Sequence, residues 1–106
     1  DIALDDGTED AASLTAVGEA CDAVAAFRPD LLLYLAGVDP LAADSLGRLA
    51  VSADGLRRRD TLVLHRCKAA GLPVAIVAGG GYAQPISATV DAYAETWRTA
   101  RCVYDL

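Results

Sequence analysis

The sequence predicts an α/β fold: a parallel sheet with flanking helices, arranged in three layers. Two short uninterrupted apolar runs, DLLLYLAG (residues 30–37) and PVAIVA (residues 73–78), have the length and hydrophobicity of parallel strands buried on both faces. Three longer segments repeat apolar residues at helical offsets. The segments alternate helix, strand, helix, strand, helix, an order that yields parallel strands joined by a right-handed crossover.

The first helix is expected over residues 11–27, where Leu14, Val17, Cys21 and Val24 share one face and Pro29 forces a stop near Arg28. The first strand follows. Ser52 is a suitable N-cap for a second helix over residues 53–70, with Leu56, Val63, Cys67 and Ala70 inward. Gly71 and Pro73 end it. The second strand spans residues 74–78, and a third helix over residues 86–101 carries Ile86, Val90, Tyr93 and Trp97 on one face, with Pro85 in its first turn. Residues 1–10 read as loop with at most a short strand.

At 106 residues the chain is one small domain. Aromatic residues make up only 6% of it, so Ala, Val and Leu must build the core. A net charge of −6 argues against a nucleic-acid or anionic-membrane partner, which needs clustered Lys and Arg. The one basic cluster, Arg57-Arg58-Arg59, falls within the second helix and reads as a solvated face. No apolar run approaches the roughly 20 residues of a membrane span, and no signal peptide is visible. Cys21, Cys67 and Cys102 fit neither a disulfide framework nor a CxxC zinc site, and they read as reduced thiols of a cytoplasmic protein. The chain contains no Met, which points to a segment of a longer protein.

In open α/β sheets, ligands bind outside the carboxyl ends of the strands. The first strand runs into AGVDPLAAD (residues 36–44) and the second into GGGY (residues 79–82). Parallel pairing therefore brings Asp39 and Tyr82 to one sheet edge. By residue type alone, Asp39 is an ordinary turn residue before Pro40, and Tyr82 an ordinary half-buried aromatic.

DGTED (residues 6–10), RPDLLLYLAGVDPLAADSLGRLAVS (28–52), GLRRRD (55–60) and PVAIVAGGGY (73–82) occur in this order along nearly the whole chain. The ordered set resembles the C-terminal part of the histone deacetylase superfamily, especially its class IV and bacterial branches, and implies the C-terminal part of the arginase/deacetylase fold. The resemblance implies that Asp39 is one of three protein ligands to a catalytic zinc and that Tyr82 is the oxyanion donor. It implies that Leu46 lines the substrate tunnel, with Gly80 and Gly81 leaving it room beside the backbone. Asp44 reads as a turn-stabilising group behind the site, and His65 as a surface residue. The remaining zinc ligands and the paired catalytic histidines of the family have no counterpart here. The expected activity is therefore that of a larger zinc-dependent deacetylase acting on acetylated lysine or acetylated polyamines, with this portion inactive alone and prone to self-association.

Three other classes compete. A ureohydrolase-type metal amidohydrolase would show a second metal-binding Asp two residues before Asp39, where Gly37 stands. A nucleotide-binding module fits poorly, since GGGY lacks the GxGxxG spacing. A purely structural reading, as an inactive fragment or degenerate paralogue, stays open.

Overall fold

The chain folds as α1 (Asp10–Phe27), β1 (Leu32–Leu35), α2 (Ala53–Ala70), β2 (Val74–Val77) and α3 (Ser87–Tyr104) in a computed structural model that describes residues 1–106. The order is the one the sequence predicts. Each boundary has a local cause. The Ser52 hydroxyl accepts the Gly55 N–H at 2.9 Å and caps α2, and Gly71 closes that helix in the left-handed conformation at φ 63°. α1 ends at Arg28, which takes the left-handed conformation at φ 55°, because Pro29 disfavours a helical residue before it. α3 runs past the expected Arg101 to Tyr104, since Cys102-Val103-Tyr104 contains no breaker.

β1 and β2 pair in parallel, with Leu32 opposite Val74 and Leu35 opposite Val77. The ladder continues one bond further, from the Ala36 N–H to the Val77 carbonyl at 2.9 Å. Alternate residues face the helices. Tyr34 donates to Asp60 of α2, Leu32 lines a groove with Val17 and Val24 of α1, and Val74 and Ile76 line another with Trp97 and Tyr104 of α3. On the opposite side Leu33 and Leu35 are 68% and 67% exposed. The expectation that this strand is buried on both faces therefore fails within these residues: all three helices lie against one face, and the other is bare.

α3 departs from expectation in the same way. Its buried residues are Thr89, Ala92, Thr96, Thr99 and Val103, whereas Ile86, Val90 and Trp97 are exposed. The reason is polar. Thr96 donates its hydroxyl to Asp60 Oδ2 at 2.6 Å, and Thr89 accepts the Ala83 N–H at 3.1 Å, so the threonine face turns inward. Small residues along it also let α3 approach α2 closely.

Asp60 is the charged centre of this packing. Its side chain is buried and accepts from Tyr34 at 2.5 Å, from Thr96, and from Arg59 Nε at 2.9 Å. Arg59 is no solvated residue, as the basic cluster suggested: its side chain is 11% exposed. It lies 5.8 Å from the centre of the Tyr34 ring, within the range of a cation–π contact. Burial pushes the Tyr34 hydroxyl well above its ordinary pKa, so it stays protonated and donating.

Removing the shared acceptor should be far worse than removing one donor. Asp60→Ala strands the Tyr34 and Thr96 hydroxyls and leaves Arg59 unpaired, and should cost about 3–5 kcal/mol. Thr96→Val removes one hydrogen bond and should cost about 1 kcal/mol. Denaturant melts of the two variants check the ranking.

Candidate functional site

The site is built on two loops that leave the same edge of the sheet, residues 36–52 after β1 and 78–86 after β2. Both rest on one apolar cluster of Val38 and Leu41 from the first loop, Ala83 from the second, and Val51, Leu56 and Ala92. Bridges tie the loops together: Asp44 pairs antiparallel with Ala83, and Gln84 donates its N–H to the Ala43 carbonyl at 3.0 Å.

Asp39 sits in a turn closed by the Leu41 N–H bonding the Val38 carbonyl at 3.2 Å. Its carboxylate lies over Gly37 and beside Gly80. A Cβ at position 37 would stand 2.7 Å from both Asp39 Oδ1 and the Gly79 carbonyl, and one at position 80 would stand 3.6 Å from that Oδ1. Any side chain at Gly37, including a second carboxylate, would collide with the Gly79 backbone carbonyl and displace the Asp39 carboxylate. The turn is held from behind by Arg59, whose Nη1 donates to the Gly37 carbonyl at 2.6 Å. Its Nη2 lies 2.8 Å from Asp60 Oδ1 but is angled away and donates to nothing. Asp39 itself is exposed and forms no ion pair.

The glycines ahead of Tyr82 answer first to the backbone. Gly80 and Gly81 have φ of 76° and 107°, values that side chains rarely tolerate. At Gly81 a Cβ would also meet Thr89 Cγ2 at 2.7 Å and Val38 Cγ2 at 2.8 Å. Tyr93 of α3 staples this turn, its hydroxyl accepting the Gly79 N–H at 3.0 Å and donating to the Gly80 carbonyl at 2.9 Å.

Tyr82 presents its side chain 55% exposed, and its hydrogen bonds all run through its backbone. The phenol is free. Leu46, on the other loop, is 71% exposed, and Gly47 next to it packs against the Asp39 carbonyl. The five residues singled out from the sequence, Asp39, Leu46, Gly80, Gly81 and Tyr82, thus all lie on the two facing loops. A groove of about 680 Å³ is lined by Val51, Arg57, Ala92 and Glu95 and includes neither Asp39 nor Tyr82. His65 is exposed on α2, and the cysteines are unpaired, Cys67 buried and Cys102 exposed. No three His, Cys, Asp or Glu side chains gather into a metal-binding cluster. No helix is long and apolar enough to cross a membrane.

Two contributors escaped the sequence reading. Tyr93 was legible only as a helix-face aromatic, and Arg59 only as one of three consecutive arginines. The Asp following Arg59 was the available signal, since a buried Arg needs a carboxylate.

With this geometry in hand, the comparisons with known proteins agree on one class. The model of the histone deacetylase domain matches residues 1–99. The chain belongs to the histone deacetylase family. An uncharacterized protein of the cyanobacterium Picosynechococcus is 44% identical over 105 residues, 98% of this chain and 35% of that protein. Histone deacetylase 2 of Arabidopsis thaliana is 39% identical over 56 residues, 53% of this chain and 14% of that protein. The crystal structure of acetylpolyamine aminohydrolase from Burkholderia pseudomallei superposes with a TM-score of 0.83 at 25% identity, covering 97% of this chain and 28% of that one. The chain therefore spans about a third of the length of such relatives.

Gly81→Ala should destabilise by about 1–3 kcal/mol, through left-handed strain and the clash with Thr89 and Val38. Gly18→Ala in α1, where a Cβ meets nothing within 4 Å, should instead stabilise by about 0.5–1 kcal/mol; thermal melts separate the two. The carboxyls of Asp44 and Asp10 are held below their usual range, Asp44 chiefly by the Tyr82 N–H and Asp10 chiefly by the Ser52 hydroxyl. A depressed folded pKa stabilises above the unfolded value near 4, and that stability is lost as pH falls through the folded pKa. Urea melts should show stability falling below about pH 4, less steeply in Asp44→Asn.

Proposed function

We propose that this chain is the Asp39- and Tyr82-bearing part of a single zinc-dependent deacetylase domain, which hydrolyses acyl amides of lysine side chains or polyamines. One observation carries the reading: a phenol with no partner in the chain stands on a stapled loop beside an unpaired carboxylate, at the sheet edge where this fold class binds ligands.

The residues fit zinc only in part. Asp39 offers exposed carboxylate oxygens with no competing cation, which suits a ligand, yet a catalytic zinc takes three protein ligands. One carboxylate is a ligand and not a site. When bound, zinc supplies Lewis-acid polarisation of the amide carbonyl and an acidified water.

The part of Tyr82 is separate from the metal. Attack of water on an acyl amide turns the carbonyl oxygen into an oxyanion, and a hydroxyl aimed at that position stabilises it more than it stabilises the substrate. Leu46 is the apolar wall beside the acyl-bearing chain, and the Cβ-less Gly80 leaves room beside the Asp39 carboxylate, whereas Gly81 turns its bare side to Thr89 and Val38 and serves the loop's backbone course rather than substrate clearance. A ureohydrolase-type site is disfavoured, because Gly37 has no room for the second metal-binding carboxylate. The three unpaired cysteines suit a reducing, cytoplasmic setting.

In the protein carrying the complete domain, Tyr82→Phe should lower kcat on an acetyl-lysine peptide or an acetylpolyamine by about 100–1000-fold while zinc content stays unchanged. Asp39→Ala should lose the zinc, as read by elemental analysis. Full activity in Tyr82→Phe would sink the oxyanion assignment, and unchanged zinc in Asp39→Ala the ligand assignment. The 106 residues alone should neither retain zinc through dialysis nor release acetate, and their bare sheet face should make them self-associate in sedimentation.

A further inference from the structure

Asp44 is a buried carboxylate that the proposed chemistry leaves unused. Its Oδ2 accepts the N–H of Tyr82 at 2.7 Å. Its Oδ1 accepts two more backbone N–H groups, from Leu46 at 2.9 Å and Gly47 at 2.8 Å. Its neighbour Ser45 holds the other side of Tyr82: the Tyr82 carbonyl accepts the Ser45 N–H at 2.9 Å and the Ser45 hydroxyl at 2.7 Å. Both backbone polar groups of Tyr82 are thus taken by two consecutive residues of the facing loop, while its phenol touches nothing polar.

We propose that Asp44 is a positioning residue: it fixes the Tyr82 backbone so that the phenol is aimed at the reacting carbonyl oxygen without Asp44 touching substrate. The inference rests on the oxyanion reading of Tyr82. The chemistry asks for a carboxylate here. Three N–H donors converge on two oxygens, and only an ionised carboxyl offers acceptors on both sides. An amide of the same shape would turn its own NH₂ toward one of the donors. The same N–H groups hold the Asp44 carboxyl below its usual range, which keeps the acceptor ionised.

Geometry explains why this matters for rate more than for binding. A tyrosine side chain swings about its Cα, so an error in the backbone passes directly to the hydroxyl. A displacement of about 1 Å in a catalytic group costs on the order of 100-fold in rate. The glycines ahead of Tyr82 make the loop soft, and the Asp44 bonds compensate for that softness at the one residue whose side chain is free.

The test uses the full-length protein with Asp44→Asn, Tyr82→Phe and the double variant. Two readouts are followed: turnover of an acetyl-lysine peptide and of N-acetylputrescine, and hydrogen–deuterium exchange of peptides covering residues 79–84. Asp44→Asn should lower kcat by about 10–100-fold with KM within twofold, and exchange in residues 79–84 should rise. The double variant should be no slower than Tyr82→Phe alone, because Asp44 acts through that phenol. A multiplicative double variant, an unchanged kcat in Asp44→Asn, or unaltered exchange overturns the inference while Tyr82→Phe still reports on the oxyanion reading. A fully active Tyr82→Phe, or a wild type that hydrolyses neither probe, overturns both. If Asp44→Asn does not fold, Ser45→Ala replaces it, since that change loosens the opposite side of the same residue. A smaller kcat loss that disappears in the Tyr82→Phe background supports the inference, and a wild-type kcat overturns it.

Discussion

Tyr34 donates to the buried Asp60 carboxylate at 2.5 Å, and that bond orients the strand from which the Asp39 loop departs. A strand alternates its faces with a period of two, so a slip of one residue would carry Tyr34 to the open side of the sheet. Asp60 would then lose a donor in a place where water cannot replace it. The bond therefore fixes which face of β1 meets α2, while the parallel pairing of β1 with β2 determines which residues emerge together beyond Leu35 and Val77. Asp39 and Tyr82 lie on the two loops that leave that edge.

The carboxylates near that edge divide by their state of satisfaction. Asp60 is saturated by two hydroxyls and a guanidinium, and Asp44 by three backbone amides. Both are buried, where an unpaired charge would be too costly to keep. Asp39 is the exception, exposed and without an ion pair. Its carboxylate lies against the Cβ-less positions 37 and 80, and it alone of the three carboxylates is left open to solvent.

Most of the fold was legible because its signals are local. Ser52, Gly71 and Pro29 act on their immediate neighbours, so helix boundaries followed from residue chemistry, and the apolar runs marked both strands. The errors came where long-range polar contacts overrode hydrophobic periodicity. Thr96 and Thr89 turned α3 inward because Asp60 and the Ala83 N–H required partners, leaving Val90 and Trp97 outside. Arg59 looked like its two solvated neighbours and proved to be the counter-ion of Asp60. Among the site residues, Asp39 and Tyr82 could be placed at one edge from strand order alone. The anchors behind them, Arg59 and Tyr93, could not, because their targets are backbone atoms whose positions exist only once the chain is folded.

That last feature bears on how such a site persists as sequences diverge. Arg59 holds a carbonyl of the Asp39 turn, Tyr93 holds an amide and a carbonyl of the glycine turn, and Asp44 holds three amides. Apart from the pairing of Arg59 with Asp60, these anchors grip backbone atoms. Backbone groups are the same in every residue except proline, so positions between the anchors are free to change provided that the φ, ψ path remains. The path itself depends on few residues, chiefly the glycines that permit left-handed turns. A structure fastened in this way can keep its backbone course while most side chains change, which accords with a TM-score of 0.83 to a relative at 25% identity.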